Sequence, residues 1–94
     1  MIYMITYDLN NPGKNYENVI NIIKKCSTGK WYSCWKSSYL IQSTRSSQLI
    51  YNDIAKYLDD NDTIFISECT KNYCGYLPQK DWSFIHNMFA SDSQ

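Results

Sequence analysis

Apolar residues in this chain switch repeatedly between a spacing of two and a spacing of three to four, and that switching constrains its fold more than any single motif. Residues 2 to 9, rich in Ile, Tyr and Thr, predict a strand with Tyr3, Ile5 and Tyr7 on one face and Met4, Thr6 and Asp8 on the other. Asn10-Asn11-Pro12-Gly13 ends it. From Tyr16 to about Cys26, Tyr16, Val19, Ile20 and Ile23 recur at helical spacing, with Asn18, Asn21, Lys24 and Lys25 toward water and Gly29 as the stop. Trp31-Tyr32-Ser33-Cys34-Trp35 and Tyr39-Leu40-Ile41-Gln42 predict two strands joined by a turn at Lys36-Ser37-Ser38. A second helix is expected from about Ser46 to Leu58, where Ile50, Ile54, Tyr57 and Leu58 share a side and Ser43, Thr44 or Ser46 caps the start. Asp59-Asp60-Asn61-Asp62 is a polar turn, and Thr63 to Glu68 alternates as a fourth strand.

Strand, helix, strand, strand, helix, strand predicts an α+β fold, a ferredoxin-like βαββαβ sandwich. The 94 residues leave room for one domain, with a core of about residues 1–68 and a C-terminal extension over 69–94. Both helices need the face of Tyr3, Ile5 and Tyr7. The face of Met4, Thr6 and Asp8 is therefore open unless a partner or the tail covers it, and function is sought there. The tail carries Trp82, Phe84, Ile85, Met88 and Phe89, which must cover something apolar.

Composition removes several classes of function. No apolar run approaches the roughly 18 residues of a membrane span, and the first residues lack the basic segment of a secretion signal, so a cytoplasmic protein with no membrane partner is expected. Nine basic and nine acidic residues cancel, which argues against a strongly basic binder of duplex DNA. The charge is unevenly spread: residues 1–45 hold six bases against two acids, and residues 46–94 hold three bases against seven acids. Such polarity can steer an anion to one face or help two copies pair. Four cysteines without a C-x-x-C, and the single His86, do not make a zinc site of regular spacing. One imidazole also falls short of the acid and base pair that metal-free RNA cleavage needs.

Three features remain as candidates for chemistry. Asp8, at the end of the first strand, is a candidate catalytic and metal-binding carboxylate, or else an acceptor of loop hydrogen bonds before Asn-Asn-Pro-Gly. The loop from Asn10 sets Gly13 and Lys14 just ahead of the helix that starts at Tyr16, where free N–H groups and the helix dipole attract a phosphate; an ordinary Pro-Gly turn is the alternative. Trp31, Tyr32, Trp35 and Tyr39 offer flat rings for bases and polar tips for phosphate or ribose, or else form core and dimer surface.

Taken together, the strand ending in Asp8, the loop Tyr7-Asp8-Leu9-Asn10-Asn11-Pro12-Gly13-Lys14-Asn15-Tyr16, the Trp31 to Leu40 segment with Ser38 before an aromatic, and Asn61-Asp62 before the last strand resemble the small SinR-like proteins. Those are similar in turn to the second of the universal CRISPR-associated adaptation proteins of antiviral defence. The resemblance covers roughly residues 1 to 77. It implies a homodimer with open sheet faces apposed, the last strand or tail of one subunit bracing the other, and two symmetry-related aspartates at the interface. Asp8 is the one residue that maps onto that family's catalytic position. Its members include both metal-dependent nucleases and structural DNA-binding subunits.

The resemblance and the residues lead to one expectation with two alternatives. The expectation is a homodimer that binds nucleic acid or nucleotide phosphates, with Asn10, Gly13, Lys14, Tyr16, Trp31, Trp35 and Ser38 as substrate-binding residues. If it is an enzyme, it is a Mg²⁺-dependent endonuclease in which Asp8 of both copies holds the metal, because one carboxylate cannot complete an octahedral shell. The alternatives are a non-catalytic binder of a small or cyclic nucleotide, and an anti-defence or assembly protein acting through protein contacts.

Overall fold

The computed structural model describes residues 1–9 and 16–92. Among these, four strands and three helices follow one another as β1 (Ile2–Asp8), α1 (Tyr16–Cys26), β2 (Trp31–Trp35), β3 (Ser38–Gln42), α2 (Ser47–Ala55), β4 (Thr63–Cys69) and α3 (Gln79–Ala90). The strands form one sheet in the order β2-β3-β1-β4, antiparallel throughout. This small α+β arrangement is compatible with a ferredoxin-like fold. No described helix is long and apolar enough to cross a membrane.

β1 lies inside the sheet and carries apolar residues on both faces. Tyr3, Ile5 and Tyr7 join Val19 and Ile23 of α1, Tyr39 and Ile41 of β3, and Ile50 and Ile54 of α2 in the main core. The Tyr3 hydroxyl is not wasted there: it donates to the Arg45 carbonyl at 2.6 Å. α1 keeps its expected bounds, with Glu17 in its first turn and Lys24 and Lys25 in its last, charges that suit the helix dipole. Gly29 does not end it; α1 stops at Cys26, and Gly29 packs against the Gln42 side chain, 2.5 Å from where its Cβ would stand.

Two boundaries differ from the sequence expectation. Ser46 is the cap of α2, its Oγ accepting from the Leu49 amide at 3.2 Å, but the helix closes at Ala55. Tyr57 and Leu58 follow in a tighter turn, their amides donating to Ile54 and Ala55, which turns Tyr57 out to solvent. The β2–β3 turn is one residue shorter than expected, because Ser38 belongs to β3. Its second residue, Ser37, sits at φ 64°, a left-handed conformation unusual for a residue other than glycine. The Ser37 carbonyl accepts from the Tyr7 amide at 3.1 Å and its Oγ meets the Tyr16 hydroxyl at 2.8 Å, so the neighbouring elements hold the turn in place.

The tail settles how much of the second sheet face is open. α3 lies on that face, and Ile85, Met88 and Phe89 are buried with Ile2 and Leu40, flanked by Met4, Tyr32, Cys69 and Trp82. Tyr32 of β2 stacks on Phe84 with ring centroids 4.4 Å apart, and its hydroxyl donates to the Asp81 carboxylate in the first turn of α3. Half of the face is thus covered from within the chain. The uncovered half begins where β1 reaches Thr6 and Asp8.

Asp81 is only 7% exposed, so removing the hydroxyl that faces it leaves a carboxylate without that donor in an apolar setting. Tyr32→Phe is expected to lower unfolding free energy by about 1–3 kcal/mol in urea titrations, with Asp81→Asn costing less. A Tyr32→Phe protein as stable as the parent would show that this contact does not hold α3 down.

Candidate functional site

The uncovered half of the face presents one row of side chains across the whole sheet. Trp35 is in register with Ser38, Ser38 with Thr6, and Thr6 with Phe65. Phe65 at 66% and Trp35 at 49% are the exposed ends of the row, and the Ser38 hydroxyl donates to Thr6 Oγ1 at 3.2 Å in its middle. Asp8 is exposed in the next row, paired with Thr63, whose Oγ1 donates to the Asp8 carbonyl at 3.4 Å.

The expected site residues do not converge on one point. Asn10, Gly13 and Lys14 lie outside the described residues. Asp8, Ser38, Tyr16 and Trp35 gather at one end of the sheet, but Ser38 is buried and bonded to Thr6, and the Tyr16 hydroxyl is engaged by Ser37 while its ring sits edge-on to Tyr7 at 5.8 Å. Trp31 stands at the other end of β2. Among the described residues, no group of three His, Cys, Asp or Glu side chains is placed to hold a metal. One carboxylate such as Asp8 does not by itself complete the octahedral oxygen shell of Mg²⁺.

Strand β2 brings together what the sequence leaves scattered. The strand lies at the edge of the sheet and its pairing with β3 shifts register between Tyr32 and Trp35. That irregularity puts Trp35 on the same side as Tyr32, whereas Trp31, paired with Ile41, faces the α1 side. The two indoles thus flank the edge from opposite faces. Trp31 is 40% exposed, lies 6.0 Å from the Tyr39 ring and carries Lys24 Nζ 4.5 Å above it, a cation–π geometry. Lys30 and Lys36 adjoin the two ends of the strand and are exposed, as is Lys25 on α1. Lys24 was expected simply to face water; its contact with Trp31 joins residues from different elements and has no local signal in the sequence.

Between the sheet and α3 lies an apolar cleft of about 130 Å³, with Trp35, Leu40, Tyr73, Leu77, Trp82 and Ile85 in its walls. Cys69 and Cys74 also reach it. Burial pushes the Cys69 thiol up from its ordinary value, and does the same to Cys26 in the main core. Protonated thiols are poor nucleophiles. His86 is exposed and stacks on Trp82 at 5.6 Å. Comparisons with protein-family models and with curated proteins find no match to this chain.

Near this end of the sheet, burial, with Tyr39 and Tyr16 adding to it, raises the Tyr7 phenol to about 12. The protonated phenol is the form the fold favours, so its contribution is complete below pH 10, the ordinary phenol value, and is lost as pH rises from there toward 12. Urea midpoints measured across that window should fall, and should fall less steeply in Tyr7→Phe; equal slopes would refute the assignment.

Proposed function

We propose that this protein binds single-stranded nucleic acid along the β2 edge, with Trp31 and Trp35 as stacking surfaces and Lys24, Lys30 and Lys36 as phosphate contacts. The observation that carries the reading is the pair of half-exposed indoles on one edge strand, one of them already under a lysine ammonium at 4.5 Å. Aromatic rings interleaved with cations are what a strand needs, since every base has a face to stack and every phosphate a charge to meet. The local excess of bases in residues 1–45 explains how a chain of zero net charge can attract a polyanion. An open edge lets a strand pass through, whereas a small nucleotide calls for an enclosing pocket with polar anchors. The apolar cleft beside α3 has no charged side chain in its walls and suits neither phosphate nor ribose.

Fluorescence anisotropy with short oligouridylate and oligodeoxythymidylate probes tests this. Trp31→Ala and Trp35→Ala should each weaken binding by roughly 5- to 100-fold, the range expected for one stacked base. Lys24→Ala, Lys30→Ala and Lys36→Ala should each reduce the slope of log affinity against log salt by about 0.7. Wild-type affinity in both tryptophan variants would refute the reading.

A second reading, Mg²⁺-dependent cleavage through paired Asp8, is favoured by one observation: Asp8 is exposed on the half of the sheet that α3 leaves uncovered. It requires a homodimer that apposes those halves. Asp8→Ala should then abolish Mg²⁺-dependent cleavage of the same probes while their binding is retained; cleavage that survives the substitution excludes it.

A further inference from the structure

The two edges of the sheet are unlike. β2 is a five-residue strand whose register is interrupted and whose ends adjoin Lys30 and Lys36, all features that discourage another strand from pairing there. β4 has none of these protections. Thr63-Ile64-Phe65-Ile66-Ser67-Glu68-Cys69 contains no lysine, proline or glycine, and it pairs with β1 in seven consecutive positions without a break, from Ile2 with Cys69 to Asp8 with Thr63. Among the described residues no strand pairs with its outer edge, which is also apolar. Among the described strand residues Phe65 is the most exposed large apolar one, and Tyr51 and Gln48 of α2 border the shallow groove that runs over Ile64, Phe65 and Ile66.

We infer that β4 is the dimerisation edge of this protein, pairing antiparallel with β4 of a second copy to give one continuous eight-stranded sheet. The occupant follows from the strand's own pattern. With a two-fold axis at Ile66, Phe65 comes beside the partner's Ser67, Thr63 beside the partner's Cys69, and Glu68 beside the partner's Ile64. The one charged residue of the strand therefore never meets its own like. Antiparallel pairing also brings exposed Lys71, just past the end of one β4, toward the partner's Asp60, just ahead of the other. Each Lys71 is thus set near an acidic residue ahead of its neighbour's β4, twice by symmetry. A strand from an unrelated protein has no reason to carry a lysine there.

This pairing lies in the plane of the sheet, unlike the face-to-face dimer implied by the resemblance, and has two consequences. Both β2 edges become the outer rims, about 34 Å apart at the usual strand spacing. The two Asp8 carboxylates are set apart by roughly 20 Å along the strand direction alone, too far to share an ion. The inference does not depend on strand binding at β2, and its test uses no nucleic acid.

Sedimentation equilibrium of the full chain over about 1 to 100 µM should give twice the 11.1 kDa chain mass at the upper end. Hydrogen exchange in Thr63–Cys69 should slow over the same range. Phe65→Lys, at an exposed position, should give a monomer with unchanged circular dichroism. Lys71→Glu should weaken association by about 2- to 10-fold, and Asp60→Lys in the same chain should recover it. A single-chain mass throughout, a dimer indifferent to Phe65→Lys, or concentration-dependent protection at Thr6, Asp8 and Trp35 in place of β4 would each overturn the inference.

Discussion

Tyr32 stacked on Phe84 with its hydroxyl on Asp81 anchors α3 to the second face of the sheet, and the rest of the surface follows from that docking. An antiparallel sheet with two helices on one side leaves its other side to be hidden by something. Here Ile85, Met88 and Phe89 do this for Ile2 and Leu40, and they do it for half of the sheet. A carboxylate at Asp81 suits the positive end of a helix, and the phenol satisfies it where water is scarce. Without the helix, the apolar half-face would dominate the molecule's associations.

With that half closed, the edges become the places where the chain can meet other molecules. They differ in charge as well as in shape. Lys24, Lys30 and Lys36 gather at β2, while Asp60 and Glu68 lie at either end of β4. The sequence's division into a basic first half and an acidic second half is thereby converted into two opposite rims of one sheet. For a phosphate chain bound at the basic rim, as proposed, the distance between the rims would keep the acidic end from competing, since opposite charges further apart than about 8–10 Å are largely screened.

Local pattern was enough for much of this fold and for little of the site. The alternation of Tyr3, Ile5 and Tyr7 and the helical spacing of Val19 and Ile23 mark their buried faces directly, and the structure places both in the main core. Simple alternation from Trp31 to Trp35 implies that both indoles share a face; the irregularity between Tyr32 and Trp35 separates them, and it arises from pairing with β3. α2 ends early because Tyr57 and Leu58 enter a tighter turn, although their spacing from Ile50 and Ile54 continues the helical stripe. The apolar residues of the tail announce that it must pack, but Tyr32 and Asp81 are 49 residues apart, and nothing in either segment names the other. Lys24 above Trp31 is hidden in the same way, since a lysine in the last turn of a helix ordinarily needs no partner beyond water.

The claim that the β2 rim is where this protein meets its ligand is tested most directly by following the backbone amides in two-dimensional NMR as an oligouridylate is added. The account predicts that shifts concentrate in Lys30–Lys36 and in the last turn of α1, together with the Trp31 and Trp35 indole N–H signals, while Asp8, Thr63 and the α3 side of the apolar cleft, Trp82 and Ile85, stay still. Shifts centred on Asp8 and Thr63, or none anywhere at saturating oligonucleotide, would contradict it.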